Sequence, residues 1–551
     1  MSSFYRYIEK RDFLFPFIAL LALYCGWVLT LPLFPSLDGP LHLYYASVLG
    51  SLLAGSKTYS SYYFIRHLVP PYALYYYLLI AIAHFSGFLL AEKLIVCLIF
   101  LTTAFGFRYL ARQMGPSGGL ASLFCVPLLL NWPLGMGFYS YCLAIGIALW
   151  AMGLWYQASA KHSHLLWIAF LFTVIATVLT HPVPALFIFS LVAVDILWRT
   201  RSNLPSLAYP RNNIFSRMIA VRWDIFYMVA SWSTALYFIH FTEKNRVLAN
   251  VLQTYNRKLV LLSLVKLSTL AMFSGSGLET LFYRASLYLI LIISIVLAMR
   301  GLRKRWLQDE TTRADILLIC SFVLFALIPV LPPVMNGANY FSQRLVIFAW
   351  IGSLAAASGN IAIQKKMQFA MAVLAFVYGV AVIAIANQRI RPVATQIESI
   401  ETIPAFAQYG TGLALALPNG PDAAYLNYVP YYWAAARYFR RSHSVLLNGG
   451  WLYESYLPLG SHVDEITNQL TPGFLDSPGD TYHLLLTSKD AQSQIMPHVN
   501  LVVFIGYEDA ESLIQTLQIM DQTEPSRKWT CQTQTWYSIC TSAFASTPFI
   551  Q

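Results

Sequence analysis

Charged residues are scarce in this chain of 551 residues. Asp, Glu, Lys and Arg make up 11% of it, whereas soluble domains carry about 25%. Hydrophobic residues make up 57%, and apolar runs of about 17–23 residues recur, a length that suits helices crossing a bilayer. The composition therefore excludes an ordinary soluble protein and predicts a polytopic membrane protein. The apolar runs are 13–34, 71–89, 91–113, 117–134, 137–158, 164–181, 183–199, 224–242, 284–301, 315–333, 345–361 and 367–387.

Several familiar motifs are also missing. The sequence has no P-loop, no GxGxxG, no HExxH, no CxxC pair and no internal repeat, which excludes the nucleotide-binding and metalloprotease classes marked by those signatures. The run 13–34 is too long for a cleavable signal peptide and lacks a small-residue cleavage site. The net charge of +11 needs no nucleic-acid partner, because most of the clustered charge lies between apolar runs.

Cysteine is rare as well, with seven residues. Five of them lie in apolar runs, where a thiol behaves as a small hydrophobic group. The other two, Cys531 and Cys540, flank a polar, strand-like stretch near the C-terminus. This spacing predicts a disulfide across a β-hairpin, provided that this end of the chain lies in an oxidising compartment.

The basic residues indicate how many apolar runs cross the membrane. Five arginines lie in the linker 199–223, which the positive-inside rule assigns to the cytoplasm. If all twelve runs crossed, the loop after the first run would be cytoplasmic too. The run 71–89 follows Pro70 and is rich in tyrosine, a residue of the membrane interface. We therefore predict that 71–89 does not cross, which leaves about eleven spans.

This topology predicts a multi-pass inner (cell) membrane protein with a cytoplasmic N-terminus and an outer first loop at about 35–90. Beyond 388 the hydrophobic runs shorten and turn residues become frequent, which predicts an α/β domain. The predicted fold class is thus an α-helical polytopic membrane domain over 1–387 and a C-terminal extracytoplasmic α/β domain over 388–551. The predicted C-terminal elements are strands at 411–417, 443–448, 482–487 and 500–505, helices at 423–441 and 508–520, and a hairpin around 527–541.

An acidic residue directly follows the first apolar run. Asp38 and His42 lie four positions apart, and they share one helix face if Pro40 is in the first turn. An acid at the mouth of a span is costly unless it faces water, a partner or a substrate. Either Asp38 caps a short interfacial helix that His42 anchors, or the pair is catalytic, with Asp38 as a general base. The predicted outer position favours the catalytic interpretation.

An arginine at the outer end of a span runs against the positive-inside bias. Arg344 enters the run 345–361 in this way, at a cost in free energy that an anionic partner would offset. Its planar fork suits phosphate oxygens, and snorkelling to a lipid headgroup is the alternative. For His181, at a helix end, capping is an equal alternative. The predicted substrate-binding residues are Arg344, Arg284, His67, His181 and Tyr340.

These residues indicate a mechanism. An enzyme that uses a lipid-phosphate donor needs a carboxylate for the acceptor's proton and a cation for the leaving phosphate. Asp38 supplies the first, with His42 tuning or assisting it. Arg344 supplies the second, with Arg284 or Lys266 as further cations.

The layout resembles the GT-C glycosyltransferases, which include the protein O-mannosyltransferases and the aminoarabinose transferase of lipid A. Four features carry the resemblance: Asp38 after the first span, Pro70-Pro71 before an aromatic stretch of the first loop, the span end 107–115, and a soluble domain after the last span. The resemblance implies a polyprenyl- or dolichyl-phosphate sugar donor, inversion at the sugar carbon and an extracytoplasmic active site. Many members have paired acids in the first loop, whereas Gly39 follows Asp38 here.

The resemblance leaves the cofactor open. Metal-dependent members use additional carboxylates, and Asp38 with Glu279 does not make such a set, so we assign no metal ligands and keep a divalent cation as an open alternative. The expected partners are membrane lipid, a polyprenyl-phosphate-linked sugar donor, and a glycan, lipid or protein acceptor. The alternatives are a polysaccharide polymerase or O-antigen ligase, and a non-enzymatic lipid or polysaccharide transporter.

Overall fold

A computed structural model of the protein describes most of the chain. Two residues considered above, Tyr340 and Lys266, lie outside the described part. The described ranges are 12–161, 163–201, 224–233, 272, 278–306, 312–328, 341–359, 365–403, 410–416, 431–448, 457–462, 478–506, 509–521 and 526–542.

The described residues before 404 are mainly helical. Its long apolar runs satisfy their own backbone hydrogen bonds as helices, which is the arrangement a bilayer requires. The helices are α1 (Leu14–Thr30), α2 (Gly39–Leu53), α3 (Lys57–Ser60), α4 (Ala73–Ser86), α5 (Phe88–Met114), α6 (Gly118–Cys125), α7 (Trp132–Gly135), α8 (Tyr139–Lys161), α9 (His164–Thr180), α10 (Pro182–Arg201), α11 (Leu278–Trp306), α12 (Arg313–Leu327), α13 (Phe341–Ser358) and α14 (Lys365–Thr402). A short strand, β1 (Tyr63–Ile65), lies between α3 and α4.

Local sequence signals set several helix ends. Pro40 lies in the first turn of α2, where its missing N–H does no harm. Thr312 and Asp315 form a capping box at the start of α12. Gly87, with a φ of +75°, ends α4 in a conformation that glycine adopts without strain.

Five helical stretches in the described ranges are long and apolar enough to cross a membrane, which indicates a membrane protein. Shorter apolar helices include α1, α4, α9, and parts of α10 and α13. At 14 residues, α4 is the shortest of these, and it reaches only about 21 Å of the roughly 30 Å hydrocarbon layer. The count of eleven spans stays a prediction. The five long stretches are Phe88–Met114, Gly118–Gly135, Tyr139–Lys161, Arg284–Arg303 and Lys365–Thr402.

A five-stranded sheet lies near the end of the chain. Its strands are β2 (Thr411–Ala416), β3 (Val445–Leu446), β5 (Leu501–Ile505), β6 (Trp529–Thr533) and β7 (Tyr537–Ser542), whereas β4 (Leu459–Ser461) pairs with β1 in a separate two-stranded sheet. The order of the five strands is β3-β2-β5-β7-β6, with β2 parallel to β3 and β5, and β7 antiparallel to β5 and β6. The helices of this part are α15 (Ala435–Arg441), α16 (Pro478–Thr487), α17 (Lys489–Ile495) and α18 (Ala510–Met520).

One predicted strand is wrong. Residues 482–487 belong to helix α16. Pro478 begins that helix and Asp480 lies in its first turn, two signals that favour a helix start. Tyr482 and Leu485 are three positions apart and both buried, so the short apolar run that suggested a strand is one face of a helix.

The chain forms two compact units. The first contains residues 1–30, 95–134 and 139–388, and the second contains 31–94, 135–138 and 389–551. The residues of the predicted first loop thus belong to the same unit as the C-terminal sheet. The predicted boundary near 387 falls inside the continuous helix α14, and the division into two domains at that point stays a prediction.

Contacts between distant stretches of sequence build the second unit. Strand β1 pairs antiparallel with β4, with Tyr63 opposite Ser461. Helix α2 packs against α15. The Arg437 guanidinium donates to the Glu92 carboxylate at 2.8 Å, and both side chains are completely buried. The first-loop residues and the C-terminal residues therefore share one core.

The predicted hairpin disulfide is present. Cys531 and Cys540 face each other in the β6–β7 pair and are bonded. The register puts their Cα atoms 4.0 Å apart.

Candidate functional site

Asp38 lies at the N-cap position of α2 and is partly exposed. Its backbone is helical (φ −89°, ψ −9°), and its side chain makes no capping hydrogen bond. A helix-capping role of the Asp38 carboxylate therefore does not explain why an acidic residue stands at this position. Its main chain is held from both sides: the Asp38 N–H donates to the Met136 carbonyl at 3.0 Å, and its carbonyl accepts from the His42 N–H at 2.9 Å.

His42 is buried one turn further along α2, with 7% of its side chain exposed. Its Nδ1 lies 2.8 Å from the Tyr76 hydroxyl, and its ring packs against the rings of Tyr75 and Tyr76. Burial lowers the pKa of His42 to about 3, so the imidazole is neutral at ordinary pH. We call Asp38, His42, Tyr75 and Tyr76 the Asp38 cluster.

Tyrosine hydroxyls fasten the rest of α2 to C-terminal strands of the same unit. The Tyr44 hydroxyl accepts from the Leu446 N–H at 2.9 Å, and the Tyr45 hydroxyl accepts from the Leu459 N–H at 2.5 Å. Tyr63 donates to the Leu446 carbonyl at 3.0 Å. The C-terminal strands therefore contribute directly to the position of the helix that begins at Asp38.

Arg344 lies in the first turn of α13 and is 8% exposed. Its guanidinium is 5.5 Å from the centre of the Tyr141 ring, and the Tyr141 hydroxyl donates to the Arg344 carbonyl at 2.6 Å. Its Nη1 is 3.2 Å from Nε2 of His181. We call Arg344, His181 and Tyr141 the Arg344 cluster; all three belong to the first unit.

Both ring nitrogens of His181 face N–H donors. The Val183 N–H points at Nδ1 from 3.2 Å, and Arg344 approaches Nε2. A neutral imidazole has one accepting nitrogen, so the ring accepts from Val183 or from Arg344 but not from both at once. His181 also ends α9. The structure thus shows His181 between a helix end and Arg344, and its substrate-binding role stays a prediction.

The other predicted site residues are more dispersed. Arg284 lies in α11, and its buried Nε has no hydrogen-bond partner among the described residues. His67 follows β1, and its N–H donates to the Pro458 carbonyl at 3.2 Å. His67 belongs to the second unit, as do Asp38 and His42, whereas Arg284 belongs to the first.

Sequence reasoning missed the aromatic partners of both clusters. Tyr76 was assigned to a membrane-interface segment, and Tyr141 was not singled out. Tyr141 lies 203 positions before Arg344, and no local pattern links residues that far apart. An aromatic ring beside a buried cation is a common arrangement, so the position of Tyr141 near the start of α8 is the one signal that the sequence offers.

No metal site emerges from the part of the chain that the structure describes. Within those ranges, no group of three or more His, Cys, Asp or Glu side chains is arranged to hold an ion.

Comparison with known proteins finds similarity in structure alone. No family model and no curated protein sequence matches the chain. The crystal structure of ArnT from Cupriavidus metallidurans in the apo state matches with a TM-score of 0.51 and 11% identity, over 96% of this chain and 98% of that one. ArnT is a GT-C glycosyltransferase, so the resemblance to that class is confirmed as a likeness of fold.

Two further structures match over 96% of this chain. One is ArnT from the same organism bound to undecaprenyl phosphate, with a TM-score of 0.48, 14% identity and 98% of that chain covered. The other is the Archaeoglobus fulgidus oligosaccharyltransferase tethered with an acceptor peptide, with a TM-score of 0.44, 12% identity and 74% of that chain covered.

Proposed function

We propose that this protein is an integral-membrane glycosyltransferase that moves a sugar from a polyprenyl-phosphate donor to an envelope acceptor on the extracytoplasmic side. The observation that carries the proposal is the position of the Asp38 side chain and the way its backbone is held. Asp38 is a partly exposed carboxylate at the start of a buried helix, held by its main chain and not used as a cap. The GT-C-like fold supports the same class of reaction.

The proposed transfer is a single displacement at the anomeric carbon of the sugar. The acceptor oxygen or nitrogen forms the new bond while the bond from carbon to the phosphate oxygen breaks. Asp38 takes the acceptor's proton as general base. The leaving phosphate keeps the electron pair, and Arg344 stabilises its charge. Attack opposite the leaving group inverts the configuration at that carbon.

Two residues receive revised roles in this proposal. Burial lowers the pKa of His42 to about 3, which makes its imidazole a weak base, so we assign it to positioning through Tyr76 and not to proton transfer. His181 contacts the Arg344 guanidinium, so we assign it to orienting that cation. Arg284, His67 and Tyr340 are kept as proposed contacts to the substrates.

The cation in the Arg344 cluster suits a phosphate. Arginine carries five N–H donors in a planar fork, a geometry that matches two phosphate oxygens. The Tyr141 ring beside it stabilises the positive charge without neutralising it.

The orientation of the protein is part of the proposal. The Cys531–Cys540 disulfide belongs to the same unit as Asp38, and disulfides persist outside the reducing cytoplasm. This supports an extracytoplasmic C-terminal region and first loop, and hence an extracytoplasmic reaction.

The test is a transfer assay with purified protein and a panel of polyprenyl-phosphate sugars. Asp38→Asn keeps the shape of the side chain and removes the base, so we expect transfer to fall about 100-fold or more. Asp509→Asn is the matched control, because Asp509 is an exposed N-cap of α18, and we expect it to keep wild-type activity. Normal transfer by Asp38→Asn would show that Asp38 is not the base.

A second assay tests the phosphate role of Arg344. We expect Arg344→Ala to weaken binding of the polyprenyl-phosphate donor strongly, and Arg344→Lys to recover only part of it because lysine lacks the planar fork. Donor binding is measured separately from turnover. Unchanged donor affinity in Arg344→Ala would show that Arg344 does not bind the donor phosphate.

A further inference from the structure

A short glycine-containing segment, residues 135–138, lies along the backbone before α2. The Leu37 N–H donates to the Gly135 carbonyl and the Asp38 N–H donates to the Met136 carbonyl, both at 3.0 Å. These four residues belong to the same compact unit as Asp38. Two consecutive amides of the chain leading into α2 are therefore bound by two consecutive carbonyls of this segment.

Gly137 has almost no space around its Cα atom. A Cβ atom at this position would lie 2.5 Å from the Gly39 nitrogen, 2.7 Å from the Asp38 nitrogen and 3.0 Å from the Asp38 carbonyl carbon. All three are backbone atoms, which cannot turn aside as the end of a flexible side chain can. Gly137 also has a φ of +82°, a conformation that favours glycine.

We infer that Gly137 is a positioning residue for Asp38, and that its missing side chain sets where the catalytic carboxylate sits. The inference rests on the proposed function, because it assigns Gly137 a role through the proposed base. Any side chain at 137 must push the Asp38 and Gly39 backbone away from the segment 135–138. This displacement carries the Asp38 carboxylate with it and also moves the first turn of α2.

Two other glycines of the same unit with positive φ lack the close approach found at Gly137. Gly55 and Gly87 also have positive φ values, +80° and +75°, but a Cβ atom on either would have no neighbour within 4 Å. At those positions glycine serves the backbone conformation alone. At Gly137 it serves both the conformation and the contact with Asp38, and the pair Gly137 and Gly55 therefore separates the two effects.

The expected consequence is a loss of turnover, not of substrate binding. A general base must lie within hydrogen-bond reach of the proton that it takes, and a misplacement of about 1 Å can cost on the order of 100-fold in rate. Binding of the donor phosphate, which is proposed for Arg344, does not depend on this geometry. The expected signature is a lower kcat with an unchanged KM for the donor.

The experiment compares Gly137→Ala with Gly55→Ala in the full-length protein. Both changes place alanine at a positive φ, so both carry the same kind of backbone strain. We expect kcat of Gly137→Ala to fall by about 10- to 100-fold, with the donor KM unchanged, and we expect Gly55→Ala to keep the wild-type kcat. Equal losses in the two variants would overturn the inference and leave the proposed function standing.

A double-mutant cycle identifies the residue through which Gly137 acts. If it acts through Asp38, adding Gly137→Ala to Asp38→Asn causes no further loss of kcat, because the base is already absent. A merely structural defect would instead multiply the two losses and overturn the inference. If Asp38→Asn alone is fully active, the proposed base and the inference both fail. This outcome differs from multiplied losses in the double variant, which overturn the inference alone.

A measurement on the wild-type protein covers the case in which Gly137→Ala does not fold. The hydrogen bonds to Gly135 and Met136 predict slow hydrogen–deuterium exchange at the Leu37 and Asp38 amides. Exchange at these amides as fast as in an exposed loop would show that the segment 135–138 does not hold Asp38.

Discussion

The Asp38 cluster and the Arg344 cluster hold opposite charges by different means. Asp38 is held through its main chain, by the Met136 carbonyl on one side and the His42 amide on the other. Arg344 is held mainly through its side chain, by the face of Tyr141 and the imidazole of His181. Each cluster lies within its own compact unit.

This difference determines what a substitution can report. Backbone contacts persist when a side chain changes, so Asp38→Asn, which keeps the shape of the side chain, alters the charge of residue 38 while its main-chain hydrogen bonds stay. Side-chain contacts disappear with the side chain, so a change at Arg344 alters the charge and its surroundings together. The support of Arg344 is therefore best tested by substituting the residues that its side chain contacts. The support of Asp38 is best tested by substituting residues that contact its backbone or pack against α2.

The largest expected effect comes from breaking a buried ion pair of α15, the helix that packs against α2. Arg437 of α15 and Glu92 are completely buried and paired at 2.8 Å. Arg437→Met leaves the Glu92 carboxylate buried without its cation, and we expect the free energy of unfolding to fall by about 3–5 kcal/mol. Denaturant unfolding of the purified protein measures this change.

A second ion pair supplies the control for Arg437→Met. Arg440 and Glu401 are paired at 3.0 Å with side chains 13% and 11% exposed. Because this pair is not completely buried and Glu401 keeps a second cation, Arg441 at 3.9 Å, Arg440→Met should cost clearly less than Arg437→Met. Equal losses in the free energy of unfolding would show that the contribution of the Glu92–Arg437 pair to stability does not depend on its complete burial.

The next effect tests side-chain support in the Arg344 cluster. Tyr141→Leu removes the ring beside the Arg344 guanidinium, worth about 2 kcal/mol for a buried cation. We expect donor affinity to weaken by about 30-fold. Tyr141→Phe keeps the ring and loses the hydroxyl bonded to the Arg344 carbonyl, so it should weaken binding less. The opposite order would point to the hydroxyl as the main support.

A pH-dependent effect, smaller per pH unit than the two effects above, tests the buried imidazole of the Asp38 cluster. Burial lowers the pKa of His42 from 6.5 to about 3, so below pH 6.5 the unfolded chain binds a proton that the folded chain does not. The contribution of neutral His42 is complete above pH 6.5 and is lost toward pH 3, at about 1.4 kcal/mol per pH unit. We expect the free energy of unfolding of His42→Gln to fall less steeply over this window.

An exposed histidine provides the control for His42→Gln. His483 is exposed on α16, so His483→Gln makes the same substitution outside the core and serves as the reference for the slope of stability against pH. If His42→Gln also keeps that slope, the imidazole is not held neutral. The activity profile gives an independent readout, because a neutral His42 contributes no ionisation to the pH dependence of kcat near neutrality.

The smallest expected effect concerns the hydroxyls that fasten α2. Tyr44→Phe removes the acceptor of the Leu446 N–H, and we expect a loss of about 1 kcal/mol in the free energy of unfolding. Tyr63→Phe removes the donor to the Leu446 carbonyl. The two hydroxyls lie 3.1 Å apart, so the double variant should cost less or more than the sum. Strict additivity would show that they act independently.

Much of the helical part follows from local sequence. The predicted run 91–113 is α5, 137–158 corresponds to α8, and 164–181 corresponds to α9. Apolar length and composition alone determine these elements, since a long apolar run satisfies its backbone only as a helix in a bilayer. The run 117–134 differs, because it is divided between α6, a 3-10 turn and α7. Short apolar runs such as 482–487 are ambiguous between strand and helix, and here the helix-start signals at Pro478 and Asp480 agree with the observed helix.

The candidate site could be predicted in part. Asp38 and Arg344 stand out because a charge at the end of an apolar run is costly. Their partners do not stand out, because Tyr76 and Tyr141 are ordinary aromatic residues within apolar segments. The buried ion pair of Glu92 joins residues 345 positions apart, a distance at which no periodicity operates.

The sequence by itself thus determined the class of molecule, most helices, the Cys531–Cys540 pair and the two charged residues that define the clusters. These features depend on the length of apolar runs, on local turn chemistry and on the cost of charge near a membrane. Each of these is a property of a short, continuous stretch of sequence. The tertiary structure alone decided that the first-loop residues share a core with the C-terminal sheet, that Tyr141 lies beside Arg344, and that Gly137 lies against Asp38. These depend on which distant surfaces pack together, and packing is set by the shape of the whole chain.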